Sequence, residues 1–196
     1  MSSNSDQEVW YVAYGSNLLT ARMLAYLEGC TENSLWGPHR GAKDPTFPRD
    51  DRKIEIPYPV HFGGYSKRWL GGVAWCSHIP LSDGKPSPVG RAWRITRDQL
   101  ADVVAQENRK DTEEIFLPDA FPKSGDATQT NNGPIDLLIS LDPIDGIPAL
   151  TLGSSEPPSP GPPSSSYRAV LAAGMSEMGL TSAEIAGYLS VLEAKA

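Results

Sequence analysis

A run of β-branched and aromatic residues leads directly into a glycine turn, and this junction constrains the fold more than any other feature of the chain. The run is Val9-Trp10-Tyr11-Val12-Ala13-Tyr14, and it is typical of a strand buried on both faces. Gly15-Ser16-Asn17 then predicts a sharp turn. Apolar residues at three- and four-residue spacing from Leu19 to Leu27 predict a helix after the turn. The chain therefore opens with a buried strand, a turn and a helix.

The rest of the sequence mixes strand and helix patterns without regular alternation. Three more helices are predicted: one begins at Thr96 with a capping box to Gln99, one carries Tyr167, and one begins at Thr181. Further strands are predicted at 59–65, 72–78, 89–95, 135–141 and 149–152. This count predicts an α+β fold, with a mixed curved sheet or a small β-barrel and flanking helices.

The remaining segments are polar and rich in turn residues. Residues 1–8 are predicted to be a disordered N-terminus, and residues 9–196 are predicted to form a single domain. Within that domain, 37–56 and 108–133 are predicted to be long loops, and 153–166 is a connector rich in Pro and Ser.

Charge and hydropathy argue against two classes of partner. The formal net charge is -7, and the strongest basic stretch, 49–53, is interrupted by two aspartates. Nucleic-acid binding depends on basic patches, so we expect no nucleic-acid partner. The chain has no apolar run long enough to span a membrane, and its N-terminus lacks the pattern of a secretory signal. We therefore expect a cytoplasmic protein without a membrane partner.

Cysteine and histidine spacing predicts neither a disulfide framework nor a metal site. Cys30 and Cys76 are too few for a disulfide-stabilised fold and do not form a Cys-x-x-Cys pair. His39, His61 and His78 are scattered, with no pair at the spacing of metal ligands on a helix. Because ligands can gather from distant positions, this lowers the expectation of a zinc hydrolase without excluding one. We expect no metal and no cofactor.

The turn after the first strand is the first candidate site. A strand that enters a helix through Gly15, Ser16 and Asn17 leaves several backbone N–H groups unpaired. A positive φ at Gly15 would let these groups converge on one point, where they would bind a carboxylate or an oxyanion. The alternative is a plain turn capped by Ser16 or Asn17.

Glu107 is the second candidate. Leu100, Val103 and Val104 make the apolar stripe of the second helix, and Glu107 falls on the same face. A carboxylate facing a core or cleft is unfavourable unless it is paired, protonated or used. Burial raises the pKa of a carboxyl toward the range that suits general acid–base catalysis. The alternative is a partly exposed glutamate that bonds a neighbour such as Arg109.

Together these motifs resemble the γ-glutamylcyclotransferase-like superfamily, which includes AIG2-like proteins. The resemblance spans residues 9–189 in ordered blocks, so it implies the fold of that superfamily. The blocks are the strand, Tyr-Gly-Ser-Asn-Leu loop and helix of Val9–Arg22, then Trp69-Leu70-Gly71-Gly72-Val73-Ala74, Val89-Gly90-Arg91-Ala92-Trp93, Gln106-Glu107, and Pro162–Tyr167 with Gly174, Glu177, Gly179 and Leu180.

The resemblance implies a reaction and a role for each motif. Members of the superfamily cyclise a γ-glutamyl group into 5-oxoproline and release an amine, with no metal and no covalent enzyme intermediate. Glu107 would be the general acid and base of this reaction. Tyr14 and the loop residues Gly15, Ser16, Asn17 and Leu18 would bind the small-molecule γ-glutamyl substrate, and Tyr167 would line the pocket. No oligomeric state is implied.

Some segments depart from the superfamily pattern. Enzymes that act on γ-glutamyl peptides often carry a tyrosine in the strand before the Pro/Ser connector, and residues 148–152 contain none. The pocket is therefore either catalytic or a non-catalytic site for a carboxylate ligand, and an amide hydrolase or deacylase is a third alternative. Loops 37–56 and 108–133 would set substrate choice. Four residues of the first loop are candidates for substrate contacts, although a solvated loop is favoured: His39, Arg40, Lys43 and Asp44.

Overall fold

The computed structural model describes residues 7–82 and 84–193. The strands are β1 (Glu8–Ala13), β2 (Asp50–Glu55), β3 (Val60–Ser66), β4 (Gly71–Cys76), β5 (Val89–Thr96), β6 (Ala127–Gln129), β7 (Leu137–Ile144) and β8 (Ile147–Gly153). The α-helices are α1 (Thr20–Glu28), α2 (Arg97–Asn108), α3 (Ser165–Glu177) and α4 (Ser182–Glu193), and short 3-10 helices lie at Ser16–Leu18 and Thr112–Glu114.

Six strands form a mixed sheet in the order β2-β5-β1-β8-β7-β6, and β3 pairs with β4 in a separate hairpin. β1 lies near the middle, antiparallel to β5 and parallel to β8. The α+β class and the mixed curved sheet are therefore confirmed. The alternative of a small barrel is wrong, because the described strands β2 and β6 are edges that do not pair with each other. The β3–β4 hairpin instead contacts the connector through bridges at Pro160 and Pro163.

The predicted burial of β1 on both faces is confirmed, and it explains the layer arrangement. Val9, Tyr11 and Ala13 belong to one hydrophobic cluster, which α1 and α2 cover. Trp10 and Val12 belong to a second cluster, which α3 and α4 cover. Alternation along a strand sends successive side chains to opposite faces. The sheet therefore separates two helical layers, and the loop that leaves β1 reaches the boundary between them.

Two predicted loops contain strands. Residues 50–55 form β2, which pairs antiparallel with β5 along its length. Its sequence, DDRKIE, is almost entirely exposed, so it lacks the apolar alternation that marks a half-buried strand. β6 lies inside the predicted loop 108–133 and has only three residues. Of the predicted disordered N-terminus, residues 1–6 lie outside the described residues, whereas Glu8 begins β1 and accepts a hydrogen bond from Arg94 Nε at 2.9 Å.

The predicted capping box at the start of α2 is confirmed. Thr96 accepts a hydrogen bond from the Gln99 amide, and the Gln99 side chain accepts one from the Thr96 amide, which fixes the start of α2. Gly29, with φ of 79°, follows the last residue of α1. The start of α2 and the end of α1 are therefore fixed, and the last turn of α2, which carries Glu107, lies beside the turn that follows β1.

Candidate active site

The turn after β1 is built differently from the sequence prediction. Gly15 has φ of −109°, so the predicted positive φ is wrong. The need for glycine is steric, because a Cβ on Gly15 would lie 3.0 Å from the hydroxyl of Tyr167. Tyr167 Oη accepts a hydrogen bond from the Ala74 amide at 3.1 Å. Gly15 therefore lets α3, β4 and the turn meet at one point.

Leu18 is not part of the site surface. Its side chain is completely buried among the residues that α3 and α4 cover, and its amide donates to the Gly15 carbonyl at 3.0 Å. Its carbonyl accepts from Arg91 Nη1 at 2.9 Å, and the neighbouring Asn17 carbonyl accepts from Trp93 Nε1 at 2.8 Å. Leu18 thus anchors the turn to β5, and its amide is engaged within the turn.

Glu107 contacts the turn directly. Its side chain is half-buried, and Oε1 accepts a hydrogen bond from Asn17 Nδ2 at 3.1 Å. The same amide group lies 3.3 Å from Tyr11 Oη, to which it also donates. Asn17 is only 3% exposed, and its Oδ1 has no hydrogen-bond partner among the described residues. The two candidate regions, 90 residues apart in sequence, therefore meet through one side-chain contact.

Buried tyrosines surround this contact. Burial, and then the negative charge of Glu107, raises the pKa of Tyr11 and of Tyr26 well above the ordinary value. Burial also raises the pKa of Tyr14 and of Tyr167. All four hydroxyls therefore stay protonated at neutral pH.

These groups line a cavity of about 880 Å³ that lies at the end of β1. Six predicted site residues are brought together in its wall: Tyr14, Gly15, Ser16, Asn17, Glu107 and Tyr167. Leu18, the seventh, does not line it. Tyr11 and Tyr14 start from opposite faces of the sheet, yet both reach the cavity, because β1 ends at Ala13 and the cavity begins there.

A basic cluster that the sequence analysis missed lies in the same cavity. Arg22 Nη1 is 2.6 Å and Arg68 Nη1 is 2.8 Å from Nε2 of His39. Guanidinium groups only donate, so Nε2 accepts and Nδ1 carries the proton that it shares with Gln106 Oε1 at 3.3 Å. Burial, Arg22 and Arg68 lower the pKa of His39 to about 4. The imidazole is therefore neutral at physiological pH.

The four loop candidates divide into two pairs. His39 and Arg40 line the cavity, whereas Lys43 and Asp44 do not. The amide of Lys43 donates to Asp102 at 2.9 Å, and Asp44 accepts from the Thr46 amide at 3.0 Å. The first pair is therefore placed where it could contact a substrate, and the second pair is not.

The described part of the chain offers neither a group of metal ligands nor a membrane-spanning helix. In residues 7–82 and 84–193, no three His, Cys, Asp or Glu side chains are grouped so that they could hold a metal ion. None of the helices that the structure describes is long and apolar enough to cross a membrane.

Known proteins share this fold over nearly the whole chain. A solved γ-glutamyl cyclotransferase aligns with a TM-score of 0.56 and 19% identity, over 97% of this chain and 89% of its own. An uncharacterized protein from Homo sapiens aligns with a TM-score of 0.56 and 18% identity, with the same coverage. YkqA from Bacillus subtilis aligns with a TM-score of 0.53 and 15% identity, over 98% of this chain and 57% of its own. The chain therefore has the γ-glutamylcyclotransferase-like fold.

Similarity in sequence to known proteins extends over less of the chain than similarity in fold. No protein-family model matches the chain. Histone deacetylase 5 of Arabidopsis thaliana is 33% identical over 103 residues, which is 52% of this chain. The match covers only 15% of the length of that deacetylase.

Proposed function

We propose that this chain, which has the fold of γ-glutamyl cyclotransferase, cyclises the γ-glutamyl group of a small-molecule amide and releases 5-oxoproline and a free amine. The observation that carries the proposal is the 3.1 Å hydrogen bond between Asn17 and Glu107. It joins the turn after β1 to a carboxylate inside a cavity large enough for a small molecule.

In the proposed reaction, Glu107 accepts a proton from the α-ammonium group of the substrate. The amine nitrogen then attacks the γ-carbonyl carbon, and a C–N bond closes the five-membered ring. Glu107 returns the proton to the departing nitrogen as the original amide bond breaks, and the second proton that the ring nitrogen loses leaves with the released amine, which departs as an ammonium ion. No water is consumed, because one substrate supplies both nucleophile and electrophile. Positioning therefore supplies much of the acceleration.

The neighbours of Glu107 suit this role. Asn17 holds Oε1, which leaves the second carboxylate oxygen for proton transfer. The Leu18 amide is engaged within the turn, so the amides of Gly15, Ser16 and Asn17 are assigned to the substrate α-carboxylate or the oxyanion.

The test is mass-spectrometric detection of 5-oxoproline from a panel of γ-glutamyl amino acids, peptides and amines. The Glu107→Gln variant removes the proton acceptor but keeps an oxygen for Asn17. We expect turnover to fall about 100- to 10,000-fold, the usual contribution of general acid–base catalysis. Circular dichroism and thermal unfolding establish that the variant is folded. Unchanged turnover in a folded Glu107→Gln protein would reject Glu107 as the acid–base residue.

The same assay separates the alternatives. A hydrolase would release glutamate in place of 5-oxoproline, and activity lost on chelation and restored by zinc would support a metal-dependent deacylase. A binding module would be stabilised by the ligand without forming product. The observation that favours the binding module is that β8 contributes Leu152, and no tyrosine, to the cavity.

A further inference from the structure

Arg22 and Arg68 converge on a single nitrogen atom. Both donate toward Nε2 of His39, at 2.6 Å and 2.8 Å. A neutral imidazole offers one lone pair, so it fully satisfies only one of the two donors. No ion pair between described residues includes Arg22 or Arg68. Two positive charges this close repel each other unless an anion lies between them.

Arg22 shows independently that a partner is missing. It is 3% exposed, and its buried Nε has no hydrogen-bond partner in the described part of the chain. Its Nη2 donates to Tyr26 Oη at 3.1 Å. A buried guanidinium without a counter-ion is unfavourable, whereas one that binds a carboxylate makes strong charge-assisted hydrogen bonds.

Neither of the other two arginines in the cavity wall hydrogen-bonds the side chain of His39. Arg40 donates to the carboxylate of Asp102 at 2.8 Å, and Arg109 is exposed, with no ion pair among the described residues. The pair is also connected to the proposed catalytic residue. Tyr26 accepts from Arg22 and lies close enough to Glu107 for that carboxylate to raise its pKa, and Gln106, next to Glu107, bonds His39. An anion held by the pair would therefore lie inside the reaction cavity.

We propose that Arg22 and Arg68 bind a carboxylate on the amine that leaves the γ-glutamyl substrate, and that they select substrates carrying it. The inference rests on the proposed function, in which the turn amides take the α-carboxylate of the glutamyl group. A second carboxylate then belongs to the departing half. His39 is a positioning residue, because its neutral Nε2 holds the side chain of Arg68 toward the cavity.

The test is calorimetric titration of the Glu107→Gln protein, in which turnover is blocked, with two compounds. γ-Glutamylalanine and γ-glutamylethylamide are identical except for the carboxylate on the departing amine. We expect the alanine compound to bind about tenfold tighter or more, which corresponds to one charge-assisted hydrogen-bonded contact. Adding Arg68→Met should abolish the preference, and Arg68→Lys should retain part of it. Arg68 is exposed, so the fold should tolerate both changes.

Lys67→Met is the matched control, because Lys67 is the adjacent exposed cation and does not line the cavity. It should keep the full preference. Equal affinity for the two compounds before Arg68 is changed would overturn the proposal. An Arg68→Met variant that binds both compounds more weakly by the same factor would also overturn it, because Arg22 and Arg68 would then hold the α-carboxylate of the glutamyl group. If γ-glutamylalanine binds more tightly than γ-glutamylethylamide but the wild type forms no 5-oxoproline, the proposed cyclisation is rejected and the carboxylate site is not. Binding of neither compound would reject both proposals.

Discussion

Replacing Gly174 with alanine should displace the turn that carries Asn17. α3 crosses this turn at Gly174, where a Cβ would lie 2.6 Å from the Leu18 carbonyl carbon and 2.6 Å from the Leu19 nitrogen. Both are main-chain atoms, so no side-chain rotation relieves the overlap, and either the helix or the turn must move. The β-carbon would fill a position that the fold uses for close packing of α3 on the turn after β1.

The expected cost follows from two opposing effects. Alanine in a helix interior is favoured over glycine by about 1 kcal/mol. Overpacking a tight contact costs about 1–3 kcal/mol and occasionally more, and two main-chain overlaps place Gly174→Ala at the upper end. We expect a net loss of about 2 kcal/mol in the free energy of unfolding.

Gly187→Ala is the matched control, because Gly187 is exposed on α4 and nothing lies within 4 Å of its added Cβ. It should increase the free energy of unfolding by about 0.5–1 kcal/mol. Urea denaturation followed by circular dichroism measures both variants. Turnover should also fall in Gly174→Ala, since Asn17 moves relative to Glu107. If Gly174→Ala were as stable as Gly187→Ala, main-chain contact would not set the distance between α3 and the turn.

Three further predictions concern stability. Arg91→Met should lower the free energy of unfolding by about 2–3 kcal/mol, because Arg91 is buried and pairs with Glu177 at 2.6 Å. The loss is limited because Glu177 can be hydrated once Arg91 is gone. A loss under about 0.5 kcal/mol in urea denaturation would contradict this prediction. His39 has a pKa of about 4 in the fold and 6.5 in unfolded chains, so only the unfolded state takes up its proton between these values. The free energy of unfolding should therefore fall by on the order of 2 kcal/mol as the pH drops from 6.5 to 4. The His39→Gln variant should lose this part of the pH dependence of stability, and a variant with the same pH dependence as the wild type would refute the prediction. Thr96→Ala should lower the thermal midpoint through a loss of about 1 kcal/mol, because Thr96 caps Gln99; an unchanged midpoint would count against the cap.

Local sequence signals predicted the parts of the fold that local physics determines. The apolar run before Gly15 predicted a strand buried on both faces, since every side chain in it is suited to burial. The spacing of Thr96 and Gln99 predicted the start of α2, because a capping box involves only residues three apart. The helical period placed Glu107 on the face of α2 that meets the rest of the molecule.

The edge strand β2 escaped prediction for a physical reason. It pairs with β5 only through its backbone, and residues 50–55 expose nearly all their side chains. Charged residues on an edge strand discourage pairing with another molecule. The same charges remove the alternation from which a strand is inferred, so a polar edge strand looks like a loop.

Although His39 itself was a candidate, its contact with Arg22 and Arg68 had no local signal. Arg22 lies on α1, His39 in a loop and Arg68 in the turn between β3 and β4, so their contact exists only in three dimensions. The requirement for Gly15 was predicted, but for the wrong reason. Its backbone avoids positive φ, and the constraint comes from Tyr167, 152 positions later in the chain, whose hydroxyl would lie only 3.0 Å from a β-carbon at this position.

The position of β8 beside β1 has a consequence for how the chain folds. Thr151 Oγ1 donates to the Val12 carbonyl at 2.8 Å across 139 residues of sequence, and β8 is the last of the described strands in chain order. Until β8 docks, one edge of the apolar β1 stays open, which exposes it to pairing with other chains. Closing so long a loop is slow, so docking of the β7–β8 hairpin should limit the folding rate. Leu152 of β8 and Tyr167 beyond it both line the cavity, so the candidate site should become complete only in that late step.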